Sequence, residues 1–207
     1  MREMSLAREM NVSQATVREA LQRLEHAGLV TRKPNIGTTV TRLSPKDVRE
    51  RVALRAKLEI MAAEAAALRM TDADFAELER RLGVLGQAIA ADNYYEAAQA
   101  DLEFHRYVWH CSGNEMLYRL LELVAVPLFA FISILRSQGL QRLTAVVEAH
   151  SPLVEALRTR DAGRIRAAFQ LGATSSYEAF LGDGGGEPNV AQVFGYLEPA
   201  GERVPSA

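Results

Sequence analysis

Apolar positions recur at helical spacing along most of the chain, and the stretch from Leu29 to Thr41 breaks that rhythm. Leu6, Ala7 and Met10 mark one face of a short first helix, and Val17, Ala20, Leu21 and Leu24 one face of a second. The two runs meet at Asn11-Val12-Ser13, where Ser13 is a good N-cap for the second helix. Gly28 stands where that helix should end in a left-handed residue. Leu29-Val30-Thr31 and Thr38-Thr39-Val40-Thr41 are β-branched runs around Arg32-Lys33-Pro34-Asn35-Ile36-Gly37, a turn with two cations at its base. Helix, turn, helix and basic wing in that order predict a winged helix-turn-helix bound to double-stranded DNA.

With the apolar face packed inward, Gln14, Ala15, Thr16, Arg18 and Gln22 point outward near the start of the second helix. A recognition helix reaches base edges in the major groove from that end. Arg18 suits a bidentate contact to guanine or a grip on phosphate, and Gln14 and Thr16 suit either strand. The alternative is an ordinary helical hairpin with a solvated charged face. The ordered sequence of cap, glycine stop and basic hairpin favours DNA.

From Ser44-Pro45 onward, a cap and a proline at the first helical position, the pattern predicts helices near 45–69, 72–91, 93–112, 114–138, 140–159 and 161–181. Thr71-Asp72, Asp92-Asn93, Ser112-Gly113-Asn114, Gly139 and Asp161 supply the breaks. No β-rich run follows Val40, so the fold class is mainly α: a winged head over 1–43 and an antiparallel all-helical bundle over 44–181. The last 26 residues, 182–207, hold six Gly and three Pro and read as a disordered tail.

Charge sharpens this division. Residues 1–43 carry seven Lys/Arg against four Asp/Glu, residues 44–181 sixteen against eighteen, and the tail one against four. A modestly basic head on a near-neutral body suits a regulator that binds DNA as a pair of heads, a homodimer, better than a histone-like protein. Cys111 is the single cysteine, which excludes an internal disulfide and fits the reducing cytoplasm. The apolar run Leu120 to Leu135 contains Glu122 and Pro127 and reads as a buried core helix, with no membrane partner.

One constellation in the bundle carries chemistry. Asp101 and His105 stand at i and i+4 on one helix face, and His150 lies on a later helix. A carboxylate and two imidazoles converging inside a bundle suit a borderline divalent metal such as zinc, nickel, manganese or iron. A D-x-x-x-H pair by itself also fits a surface contact or a satisfied core histidine.

Two blocks resemble a known family. VSQATVREALQRLEHAGLV resembles the recognition element of GntR-type bacterial repressors, V-S-R-x-P-V-R-E-A-L-x-x-L-x-x-x-G-L-V, with Gln14 and Ile36 standing where arginines are usual. The resemblance implies DNA contacts from Arg2, Ser13, Thr16, Arg18 and Gly37, and a changed contact at Gln14. It also implies a helix ahead of Met1 to cover Leu6, Met10, Val17, Leu21 and Leu24, so the true start is expected upstream. DLEFHRYVWHCSGNEML, with Arg55-Ala56-Lys57-Leu58-Glu59, resembles the FCD ligand-sensing domain of the FadR-type branch. That domain implies a metal site of one Asp and three His. Here Gly172, in AAFQLGATSS, takes the last position, so the metal is expected to be weakly held or absent. Either three ligands and water hold it, or His105 and His150 meet the effector directly. Arg55 is similar to the arginine that reaches into the cavity to clamp a small organic acid; the alternative is an exposed cation paired with Glu59 at i+4.

The leading function is therefore a transcriptional regulator, a repressor in the resemblance, whose operator affinity is controlled by a small carboxylate effector, and not an enzyme. The competing readings are a metal-dependent enzyme using Asp101, His105 and His150, and a helical small-molecule-binding protein without DNA binding. Against the enzyme, no general base in an H-E-x-x-H arrangement accompanies the ligands.

Overall fold

A computed structural model describes residues 2–33, 37–137, 144–175 and 177, with the side chains of 135–137 and 144–148 left aside. The expectations for Ile36 at the wing tip, the break at Gly139, the end of the last helix near 181 and the 182–207 tail fall outside the described residues.

The head comprises α1 (Glu3–Glu9), α2 (Gln14–His26), β1 (Val30–Lys33) and β2 (Gly37–Val40). Ser13 caps α2 by accepting the Thr16 N–H at 3.0 Å. After the helix ends, Gly28 takes φ +72°, the left-handed stop that a β-carbon would strain. The strands pair antiparallel with Val30 opposite Val40 and Lys33 opposite Gly37. Of the expected apolar face, Val17 and Leu21 are buried. Met10 and Leu24 are instead 66% and 38% exposed and Ala20 is exposed too, because no described element packs on that side of α1 and α2.

The bundle comprises α3 (Pro45–Arg69), α4 (Asp72–Ala90), α5 (Tyr94–Cys111), α6 (Glu115–Ser137), α7 (Thr144–Thr159) and α8 (Ala162–Ser175). Side-chain oxygens start the helices where the sequence placed them. Ser44 with Asp47 and Thr71 with Asp74 form reciprocal capping boxes, and Asn93, Asn114 and Asp161 accept first-turn amides of α5, α6 and α8. Gly113 turns at φ +69° between α5 and α6, a left-handed conformation that favours glycine, and a β-carbon there would have to push the Arg69 guanidinium aside.

α3 lies against α5, α6, α7 and α8 and supplies mostly alanines to that contact, which lets the helices approach closely. Glu115–Ile134 is long and apolar enough to cross a membrane, longer than the sequence pattern suggested, but 56% of its most apolar stretch is buried inside the bundle, as a core helix requires. Pro127 lies inside this helix and donates no N–H to the Leu123 carbonyl. Arg51 fills that gap, its guanidinium donating to Leu123 O at 3.1 Å and Val124 O at 3.4 Å.

Candidate functional site

Two places collect polar side chains: a buried cavity in the bundle and the outer face of the head.

The cavity is lined by Arg55 of α3, Asp101 and His105 of α5, Phe129 and Ile132 of α6, His150 of α7, Gly172 of α8 and Tyr177. Asp101, His105 and His150 are buried, and one ligand atom from each lies within 4.8 Å of the others. His150 Nε2 is 3.0 Å from Asp101 Oδ1, and His105 Nε2 is 3.7 Å from it. The residues paired by spacing thus meet the third across the bundle, and Gly172 faces the same space.

Glu59 organises this cluster, a role that its spacing from Arg55 alone did not reveal. It is 1% exposed and faces three donors. Arg55 Nε lies 3.2 Å from Oε2, Trp109 Nε1 donates to Oε1 at 3.2 Å, and His105 Nδ1 sits at ion-pair distance, 3.0 Å from Oε1. A carboxylate beside Nδ1 keeps the proton there and presents the Nε2 lone pair toward Asp101 and His150. Burial alone would raise the Glu59 pKa, but Arg55 and then His105 outweigh it and hold the carboxyl at about 2. Burial lowers the His105 pKa against the opposing pull of Glu59, so the ring is held neutral, the form that ligates metal.

Arg55 is buried and lines the cavity, not exposed as the alternative had it, although the pairing with Glu59 that the alternative named is present. Its guanidinium stacks 4.4 Å from the Phe129 ring centre, and Nη2 lies 3.4 Å from His105 Nε2. The donor set of one carboxylate oxygen and two imidazole nitrogens fits a borderline divalent ion. Such an ion would have to take the His105 lone pair from Arg55.

On the head, Gln14, Thr16 and Arg18 are exposed together at the start of α2, as the periodicity required. Ser13 and Thr16 also bond each other, Oγ to Oγ1 at 2.8 Å. Arg2 is exposed at the start of α1, and Gly37 begins the returning strand at φ +115°, which favours glycine. Gln14 and Arg18 meet at one acceptor, the carboxylate of Glu3.

Comparison with known proteins decides the class. The model for bacterial regulatory proteins of the gntR family matches residues 1–40, and the model for the FCD domain matches residues 50–171. The chain belongs to the GntR family of regulators with an FCD domain. It is 29% identical over 160 residues to a probable D-xylose utilization operon transcriptional repressor of Paenarthrobacter nicotinovorans, covering 77% of this chain and 70% of the relative. It is 32% identical over 136 residues to the transcriptional regulator LutR of Bacillus subtilis, covering 58% and 61%. Among solved structures, E. coli McbR/YncC superposes with a TM-score of 0.75 at 23% identity, over 96% of this chain and 88% of that one, and shares the fold. These relatives are transcriptional regulators, and the metal-dependent enzyme reading falls with them.

Proposed function

We propose that this GntR-family regulator binds a two-fold symmetric operator as a homodimer and that a small carboxylate in the bundle cavity controls its grip. The head over 1–43 would read DNA and the bundle over 44–181 would sense and pair, with the cytoplasm as the compartment. The observation that carries the reading is the double engagement of α6. Phe129 and Ile132 line the cavity, and Pro127 lies so close to Gly28 of the head that a β-carbon there would stand 3.2 Å from Pro127 Cγ. Leu43, at the end of the head, is buried with Leu128, Phe131 and Ile132 of the same helix. A ligand that binds one position of α6 better than another therefore biases the seating of the head.

In this reading Asp101, His105 and His150 would hold an exchangeable divalent cation, which would supply Lewis acidity to the cavity when bound. Arg55, whose Nη2 lies 3.4 Å from His105 Nε2, would offer its remaining donors to the carboxylate.

Pairing is supported by an apolar stripe on α3. Leu54, Met61 and Leu68 repeat every seven residues and are 47%, 56% and 74% exposed, and half-buried Leu58 and Ala65 complete the heptad spacing. Met116, Leu120 and Leu123 form a second exposed row on α6, which packs on α3. A second copy is the fitting occupant, because a head with so little net charge needs a partner head to hold DNA. Met61→Glu combined with Leu68→Glu is expected to yield a folded monomer by analytical ultracentrifugation, with DNA retention at physiological salt lost. A variant that stays dimeric places the interface elsewhere.

The sensing test is a thermal-shift screen of sugar acids, hydroxy acids, amino acids and dicarboxylates, each with and without added zinc. At least one acid should raise the melting temperature and change retention on DNA. Arg55→Ala is expected to abolish that shift, since it removes the cationic clamp. An undiminished shift in the variant would place the effector outside this cavity.

A further inference from the structure

Among the described residues, Glu3 joins all three parts of the head's outer face. Its Oε2 accepts from Arg18 Nε at 3.1 Å, with Arg18 Nη2 also at 3.1 Å, and from Gln14 Nε2 at 3.3 Å. Its Oε1 accepts from Arg32 Nη2, on the first strand of the wing, at 2.9 Å. One carboxylate on α1 thus ties two residues of α2 to a cation of β1. The Arg18 hydrogen bond is the leading cause of a lowered Glu3 pKa, so the group is ionised at neutral pH.

We infer that Glu3 is a positioning residue that sets the sequence selectivity of this head, by aiming Arg18 and by withholding charge from non-cognate DNA. The inference rests on the reading that Arg18 contacts operator bases. A guanidinium has five N–H donors. Glu3 engages the side edge of Arg18, through Nε and Nη2, and leaves the end-on pair from Nη1 and Nη2, which is the pair that matches guanine O6 and N7. Arg18 is 54% exposed on its side chain and would otherwise sample many rotamers, so a fixed aim lowers the ordering cost of reading a base.

The second effect has the opposite sign on other sequences. Non-specific binding comes from cations neutralising phosphates, with the salt slope set by how many are engaged. A carboxylate among Arg18 and Arg32 offsets part of that attraction wherever no base contact repays it. Glu3 therefore strengthens the cognate complex and weakens the rest, which a residue that merely props up the head does not do.

The test uses the full chain, a duplex selected by the wild-type protein from a random pool, and a shuffled duplex of the same composition. Glu3→Gln is expected to bind the shuffled duplex more tightly and with a steeper salt dependence, and the selected duplex more weakly. The ratio of the two affinities should fall about tenfold, the order of one bidentate base contact. Glu3→Asp keeps the charge but shortens the reach, so it should leave shuffled binding near wild type and still lower the ratio. An unchanged ratio and slope in both variants overturns the inference, and so does a parallel weakening on both duplexes. Arg18→Ala separates the two layers. If it lowers the ratio while both Glu3 variants do not, the inference alone fails; if it leaves the ratio intact, or if the wild type selects no duplex, the base-reading role of Arg18 fails with it.

Discussion

Glu59→Gln is expected to destabilise the metal-free protein by about 3–5 kcal/mol, the range for removing one partner of a buried ion pair. The shape is kept but the charge is not, and Arg55, 3% exposed, is left beside a neutral amide. Against a total stability of about 5–15 kcal/mol for a domain, that is a large fraction. Urea unfolding checks it, as a lower midpoint with an unchanged slope. A loss under about 1 kcal/mol, less than such a pair is worth, would mean that Asp101, which also faces Arg55 electrostatically, balances the guanidinium unaided.

The same residue predicts the acid response. The folded pKa of Glu59, about 2, lies below its ordinary value of 4.5, so its contribution is complete above about pH 4.5 and is lost as the pH falls toward 2. His105, lowered from its ordinary 6.5, adds a loss of the same sign that begins as the pH falls below 6.5. Chelator-treated wild type should therefore weaken progressively from pH 6.5 downward, and Glu59→Gln should lack the part below pH 4.5. A wild type equally stable at pH 7 and pH 3 would contradict both shifts.

Gly172→His is expected to raise metal retention at least about tenfold by giving the Asp101, His105 and His150 set a fourth donor. Gly172 lines the cavity from the facing helix, so the new imidazole starts in the right place. Its β-carbon would stand 3.2 Å from Leu153 Cδ2, the end of a flexible side chain, and Leu153 must turn aside. The companion Gly172→His with Leu153→Ala removes that crowding. Elemental analysis after desalting decides the matter. Chelator-resistant metal in the unaltered protein would show that three protein donors suffice, and none in any variant would show that the cluster does not bind an ion.

Much of the architecture was legible because its causes are local. Helical apolar spacing, the hydroxyl and carboxamide caps at Ser13, Ser44, Thr71 and Asn93, and the left-handed glycines at 28 and 113 act within a few residues of themselves. Each bundle helix begins within one residue of the place the sequence indicated, apart from α7, whose expected start near 140 precedes the described Thr144. The i, i+4 spacing likewise sufficed to put Asp101 and His105 on one face. The apolar face of the head was less legible, since burial of Met10 and Leu24 depends on what packs over them.

What the tertiary structure decided are relations between distant residues. Periodicity counts where a side chain points on its own helix, and it is silent on what stands opposite. It offered a cavity-lining Arg55 or an exposed one paired with Glu59, and packing of α3 against α5 and α6 buried the residue in the cavity wall while keeping the pair. Glu59 joins residues 50 positions apart through the indole of Trp109, and Arg51 answers a carbonyl that Pro127 left bare 72 positions later. Glu3, an ordinary acidic residue in the first turn of a short helix, becomes the meeting point of Gln14, Arg18 and Arg32 when α1, α2 and the wing fold together. Burial makes these pairings matter, because a charge removed from water must be met by another group, and which group meets it is settled by the fold.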